Sequence, residues 1–263
     1  MKPFRIVNLL RIGLVAALTL TGVGCGVSVQ PTPGSVTAPA PTAPKTPWYQ
    51  VAPGFEYQYQ LDPDKDPVKW AHVSATGDPF VYSQVRNADL GEMSTAELAT
   101  AVLTSHYRSN LLLHNSYSQA IESVTVAFNG LRALLQRPDV ADVLLPFYCA
   151  ISLDDVLAEG LDGGWRLEWL EIIMAQNTIL EKATAQQRAA VFKCAMKNIE
   201  TMKAAKELNY TTTMLLAGRI ALMDHSADLQ NTADATQIRQ TISELDYAYS
   251  APLLTWLTSL AST

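Results

Sequence analysis

The chain has 263 residues, 48% hydrophobic and 17% charged, which excludes a disordered chain or a charge-rich coiled coil for its bulk. Nineteen basic residues stand against 25 acidic ones, a formal net charge of −6, and loss of Lys2, Arg5 and Arg11 with a leader leaves −9. So acidic a body argues against electrostatic capture of nucleic acid or of anionic lipid headgroups, while the roughly 239 residues left after a leader suffice for one large domain or two small ones.

Residues 1–24 have the order of a secretory signal peptide. Lys2, Arg5 and Arg11 open it, 12–20 form an uncharged apolar stretch too short to span a bilayer, and small residues 21–24 precede Cys25. A small residue followed by Cys resembles the bacterial lipobox, which implies lipidation of Cys25 as the mature N-terminus and a membrane partner through that lipid. Gly22 stands where the motif prefers Leu, so cleavage after Gly24 to give a free secreted protein is a second reading, and an uncleaved membrane anchor, disfavoured by the short core and Arg11 beside it, is a third. Residues 25–54 then form a Pro/Thr/Ala-rich linker, with Pro31, Pro33, Pro39, Pro41, Pro44, Pro47 and Pro53. Such a stretch stays extended, and at roughly 3 Å per residue it forms a stalk several tens of ångströms long.

Residues 55–92 are expected to be an extended or short-strand segment. Phe55-Glu-Tyr-Gln-Tyr-Gln-Leu61 alternates apolar and polar as a half-buried strand does, and 70–73 and 80–82 read as further short strands around a Gly77-Asp78-Pro79 turn. From 93 to 263 helix signals dominate. Ser94-Thr-Ala-Glu97 is a capping box, with Met93 and Leu98 placed as its hydrophobic staple. Further helices are expected at 118–128, 131–136, 139–150, 153–159, 165–181, 185–207, 212–225, 235–247 and 252–260. They are punctuated by Gly130, Pro138, Gly160, Gly163, Gly164 and Pro252.

The pattern within these helices gives their layering. In 185–207, Phe192, Ala195, Ile199 and Met202 share one face while Lys193, Lys197 and Glu200 share the other, the mark of an outer helix. Helix 165–181 carries apolar residues on two sides, with Glu168 and Glu171 on a narrow polar strip, and is placed centrally. The stretch 214–223 is apolar nearly all round, so Arg219 within it is expected to pair with a carboxylate.

Several blocks recur in an order that resembles an uncharacterised helical module of secreted Gram-positive bacterial proteins. They are Met93-Ser-Thr-Ala-Glu-Leu98, Ala101-Val-Leu103, Asn115-Ser-Tyr117, Phe128-Asn-Gly-Leu131, Leu134-Leu-Gln-Arg137 and Asp139 through Leu144-Leu145. The likeness covers about 55 residues, from Met93 to Tyr148, and departs at Thr104-Ser-His-Tyr107, where the module tends to read Asp-Tyr-Pro. It implies fold and location only, since each matched block is a cap, a core position or a breaker.

Chemistry-bearing constellations are sparse. With Cys25 spent on the anchor, Cys149 and Cys194 are either bridged, as an extracytoplasmic location favours, or two small buried hydrophobes; neither has the company of a catalytic thiol. Asp62, Asp64 and Asp66 start like a calcium loop, but Pro67 and Val73 occupy the positions that need Gly and Glu, so a solvated turn is expected. His72, His106, His114 and His225 form no ligand pair one turn apart, and His225 reads as a histidine favoured by a helix C-terminus. Glu168 and Glu171 beside Trp165 and Trp169 suit glycosidic chemistry in composition. Their spacing suits a core helix with a polar edge instead, because carboxylates three apart on one helix touch each other and do not flank a bond.

The sequence therefore implies a mainly α protein, an irregular multi-helix bundle or stacked helical hairpins, with no catalytic residues, metal or cofactor assigned. The expected role is a lipid-anchored extracytoplasmic module that binds or scaffolds an envelope protein or glycan. The alternative is a cell-envelope hydrolase whose site is assembled from distant residues.

Overall fold

A computed structural model of the chain describes residues 46–62, 65–77, 79–205, 209–230, 232–247 and 249–262. Cys25, the leader and most of the Pro-rich linker lie outside them. The described residues contain α-helices and two 3-10 segments and no strand.

The extended segment shows why an alternating pattern does not by itself make a sheet. Tyr57 and Leu61 are buried, Phe55 and Tyr59 half-buried, and Glu56, Gln58 and Gln60 exposed, so the inside–outside alternation is real. Its partners are helices, though, and its polar groups are satisfied one by one. The Tyr57 hydroxyl donates to Asp89 Oδ2 at 2.9 Å and accepts from the Arg86 amide at 2.8 Å, while the Tyr59 hydroxyl donates to the Ala101 carbonyl at 2.6 Å. Upstream, the Arg166 guanidinium lies 4.1 Å from the Tyr49 ring centroid. The two other expected strands are helical. Residues 70–73 fall in α1 (Pro67–Thr76), whose Pro67 supplies the fixed φ of a first helical turn, and 80–82 fall in a 3-10 segment (Pro79–Ser83). α2 (Asn87–Glu92) follows.

α3 (Thr95–Thr104) starts at the capping box. The Glu97 amide donates to Ser94 Oγ at 3.2 Å and the Ser94 amide donates back to Glu97 Oε2 at 2.8 Å, with Met93 and Leu98 both buried. A 3-10 segment (His106–Leu113) follows. α4 (Tyr117–Ala127) and α5 (Asn129–Gln136) come next, the start of α5 being held by Asn129, whose Oδ1 accepts from the Val85 amide at 2.9 Å while its Nδ2 donates to the Val85 carbonyl at 2.7 Å. α6 (Val140–Ala150) and α7 (Leu153–Ala158) complete this half.

The glycines 160, 163 and 164, read as a loop, instead open a helix: α8 runs Gly160–Met174. Gly160 adopts φ +63°, a left-handed turn that reverses the chain from α7 without a loop. Gly163 lets the two helices close up, since a Cβ there would sit 2.2 Å from the Val156 carbonyl oxygen. Close packing mimicked a breaker. The expected 165–181 helix also divides, with Ala175 and Gln176 separating α8 from α9 (Asn177–Leu180).

α8 is central, as its two apolar sides indicated. Leu167, Trp169, Leu170, Ile172, Ile173 and Met174 are all buried, and the helix packs against α3, α4, α7 and α11. Trp169 Nε1 donates to the Val102 carbonyl at 3.1 Å, whereas Trp165 remains 44% exposed and leaves the core face one turn short. α10 (Ala185–Ala205) is the outer helix, begun by a second box in which Thr184 and Gln187 bond each other's amides at 3.2 and 2.8 Å. It packs on α6, α11 (Thr211–Asp224) and α14 (Ala251–Ala261). α11 is buried along nearly its whole length. Between α11 and α14 lie α12 (Ser226–Leu229) and α13 (Ala235–Glu244), which stops at Leu245 with φ +46°.

Candidate functional site

Glu171 faces the interior between α8, α11 and α6 and is the most buried charge-bearing group among the described residues. It is 1% exposed. Its Oε1 accepts from the Tyr148 hydroxyl at 2.9 Å and the Thr213 hydroxyl at 2.7 Å, and its Oε2 from Thr212 at 2.5 Å. Asn198 Nδ2 in turn donates to the Tyr148 oxygen at 3.3 Å. No Lys or Arg pairs with this carboxylate among the described residues. Burial consequently outweighs the three hydroxyls and raises its pKa to about 7. Glu168, half-buried and receiving only Asn209 Nδ2 at 3.4 Å, is also raised to about 7 by burial. Burial, reinforced by Glu168, drives the Tyr117 phenol upward as well. Glu171 is sealed, so this pair cannot flank a substrate bond, and exposed Trp165 and buried Trp169 form no platform.

A second set of carboxylates lines an open hollow of about 360 Å³ beside residues 55–58 and α2. Each shifted one is engaged and held low: Glu56 by Lys65 at 2.5 Å, Asp89 by Arg86 at 2.7 Å, and Glu97 by the Ser94 amide. A general acid for neutral pH needs the opposite shift.

Arg219 finds no carboxylate among the described residues, contrary to expectation. Its Nη2 donates to the Ser243 carbonyl at 3.0 Å and its Nη1 reaches Asn177 Oδ1 at 3.4 Å, while burial lowers its pKa. Ser243 lies in the last turn of α13, so the negative end of that helix takes the place of the missing anion. His225 caps α11 with its Nδ1 3.3 Å from Asp228 Oδ2, and no described cluster of His, Cys, Asp or Glu could hold a metal ion. Asp62 is half-buried, Asp66 precedes α1, and Asp64 lies outside the described residues.

Cys149, exposed near the end of α6, is bonded to half-buried Cys194 in the middle of α10, their Cα atoms 5.5 Å apart across 45 residues. The bond fixes the outer helix to the first half of the chain.

The same α10 walls a further concavity. Between α10, α11 and the end of α14 runs a groove of about 700 Å³. Met196 and Ile220 are buried at its base, and Phe192 and Leu260 are half-buried at its sides. Ala185 and Ala189 are exposed along it and keep it open. At its rim Lys193 and Lys197, one turn apart and exposed, take part in no ion pair with the described residues. Asp224, by contrast, is neutralised by Arg188 Nη2 at 2.6 Å and Nε at 3.0 Å. Sequence reasoning assigned Lys193 and Lys197 to a plain wet face. The signal it passed over was Met196, which with Phe192 at the edge of the core face widens the apolar stripe toward the lysines. No protein-family model, curated protein or solved structure matches the chain.

Proposed function

We propose that this protein is a binding module held at the extracytoplasmic face of the cell membrane by a lipid on Cys25, with the α10–α11–α14 groove as its working surface. The observation that carries the reading is an open apolar groove whose rim lysines form no ion pair among the described residues, while Glu171, a carboxylate of raised pKa, is packed inside. Small-molecule sites are typically apolar hollows of roughly this size with a few polar groups that fix orientation. The location is supported by the leader, the Cys25 context and the Cys149–Cys194 bond, because disulfides persist outside the cytoplasm. It is compatible with the helices, none of which is long and apolar enough among the described residues to cross a membrane. The likeness of residues 93–148 to a module of secreted bacterial proteins points the same way. A hydrolase has less support, since Glu171 is out of reach of any substrate.

Fractionation tests the tether. Wild-type chain is expected in the membrane fraction and a Cys25→Ser chain in the soluble fraction; membrane retention of the variant refutes the lipid anchor.

A further inference from the structure

We infer that the groove takes a single-chain anionic amphiphile, a long acyl chain ending in a carboxylate or phosphate. The inference rests on the binding-module reading and names its ligand class. Shape comes first. The groove follows α10 from Ala185 to Glu200, a run of about 22 Å at 1.5 Å per residue, so it is long and narrow. Its volume of about 700 Å³ is too small to enclose a partner helix, because two turns of a helix about 11 Å across already fill roughly 1,000 Å³. One extended hydrocarbon chain fits both the length and the volume.

Chemistry then sets the headgroup. The base and sides, from Phe192, Met196, Ile220 and Leu260, offer only apolar contacts. The charged groups at the groove are Lys193, Lys197, Glu200, Asp224 and His225. Asp224 is spent on Arg188 and His225 lies against Asp228, which leaves two ammonium groups and one carboxylate, Glu200, beyond Lys197. In a chain of net charge −6, two unpaired lysines one turn apart beside an apolar furrow form a local anion site, and their three donors each suit a carboxylate or a phosphate alike. A chain laid along Phe192 and Met196 brings its end to these ammonium groups.

The test uses the full chain carrying Cys25→Ser and calorimetric titration below micelle formation with four probes of equal chain length: myristate, monotetradecyl phosphate, tetradecanol and tetradecyltrimethylammonium. Saturable one-to-one binding of at least one anion is expected, about tenfold tighter than the alcohol and tighter still than the cation. Binding of only one anion identifies the headgroup and supports the inference equally. Ala189→Trp, a change at an exposed position that fills the groove without touching the core, should abolish binding of every probe. Lys193→Glu with Lys197→Glu should weaken the anions about tenfold and leave the alcohol within twofold. The inference is overturned if neither anion saturates, if the filled groove still binds, or if charge reversal leaves anion affinity unchanged. Membrane fractionation reports on the tether separately, so failure of one reading does not hide failure of the other.

Discussion

Glu171 is held by three hydroxyls, from Tyr148, Thr212 and Thr213, and by no cation among the described residues. A hydroxyl can donate or accept, so the cluster suits a neutral carboxyl as well as a charged one, and burial selects the neutral form up to about pH 7. The sign of the pH dependence follows. The folded protein holds this proton to about pH 7 while the unfolded chain releases it near 4.5. Stability is therefore greatest below pH 4.5 as far as this residue goes, and it declines as pH rises through 7. The full decline corresponds to about 3 kcal/mol at 1.36 kcal/mol per unit. Glu171→Gln keeps the shape, and the Thr212 hydroxyl can accept from the new amide. Urea unfolding at pH 5 and pH 8 should show the variant gaining about 1–3 kcal/mol on wild type between the two. An unchanged pH slope would mean that Glu171 titrates normally and is not sealed.

At the scale of elements, caps and periodic faces were legible because they are local. Ser94 and Glu97 bond as their spacing dictated, and α8 and α10 took the central and outer places that their apolar faces assigned. What escaped the sequence was set by neighbours distant along the chain. Alternation in 55–61 fitted a strand until Asp89 and Ala101 claimed its tyrosines. Gly163 looked like a breaker because the carbonyl of Val156, which forbids a side chain there, cannot be seen from its own window. Arg219 drew a helix end in place of a carboxylate, and the groove needs three helices before it exists. Two predictions belong here. Gly163→Ala should cost more than about 2 kcal/mol in urea unfolding, since a rigid backbone atom and no flexible side chain stands 2.2 Å from the added carbon. A melting curve matching wild type would show that α7 and α8 separate freely. Reducing Cys149–Cys194 should add two hydrogens to the intact mass and lower stability by about 3–4 kcal/mol for a 45-residue separation. A chain whose mass ignores reductant has free thiols, and α10 is then held by packing alone.

In the molecule as a whole, the groups that support the fold are separate from the surface proposed to meet a ligand. Glu171 is sealed in the interior, and Asp89 and Asp224 are each tied to an arginine. The unpaired lysines and the open apolar furrow coincide on α10, the helix that the disulfide braces. On the proposed reading, this surface is where the tethered body holds its ligand. Hydrogen–deuterium exchange of the Cys25→Ser chain with and without myristate measures where the ligand sits. The account predicts slowed exchange in residues 185–200, at the end of α11 and at the end of α14, with α8 unaffected. Protection centred on Glu168 and Glu171 in α8, or none in α10, would contradict it.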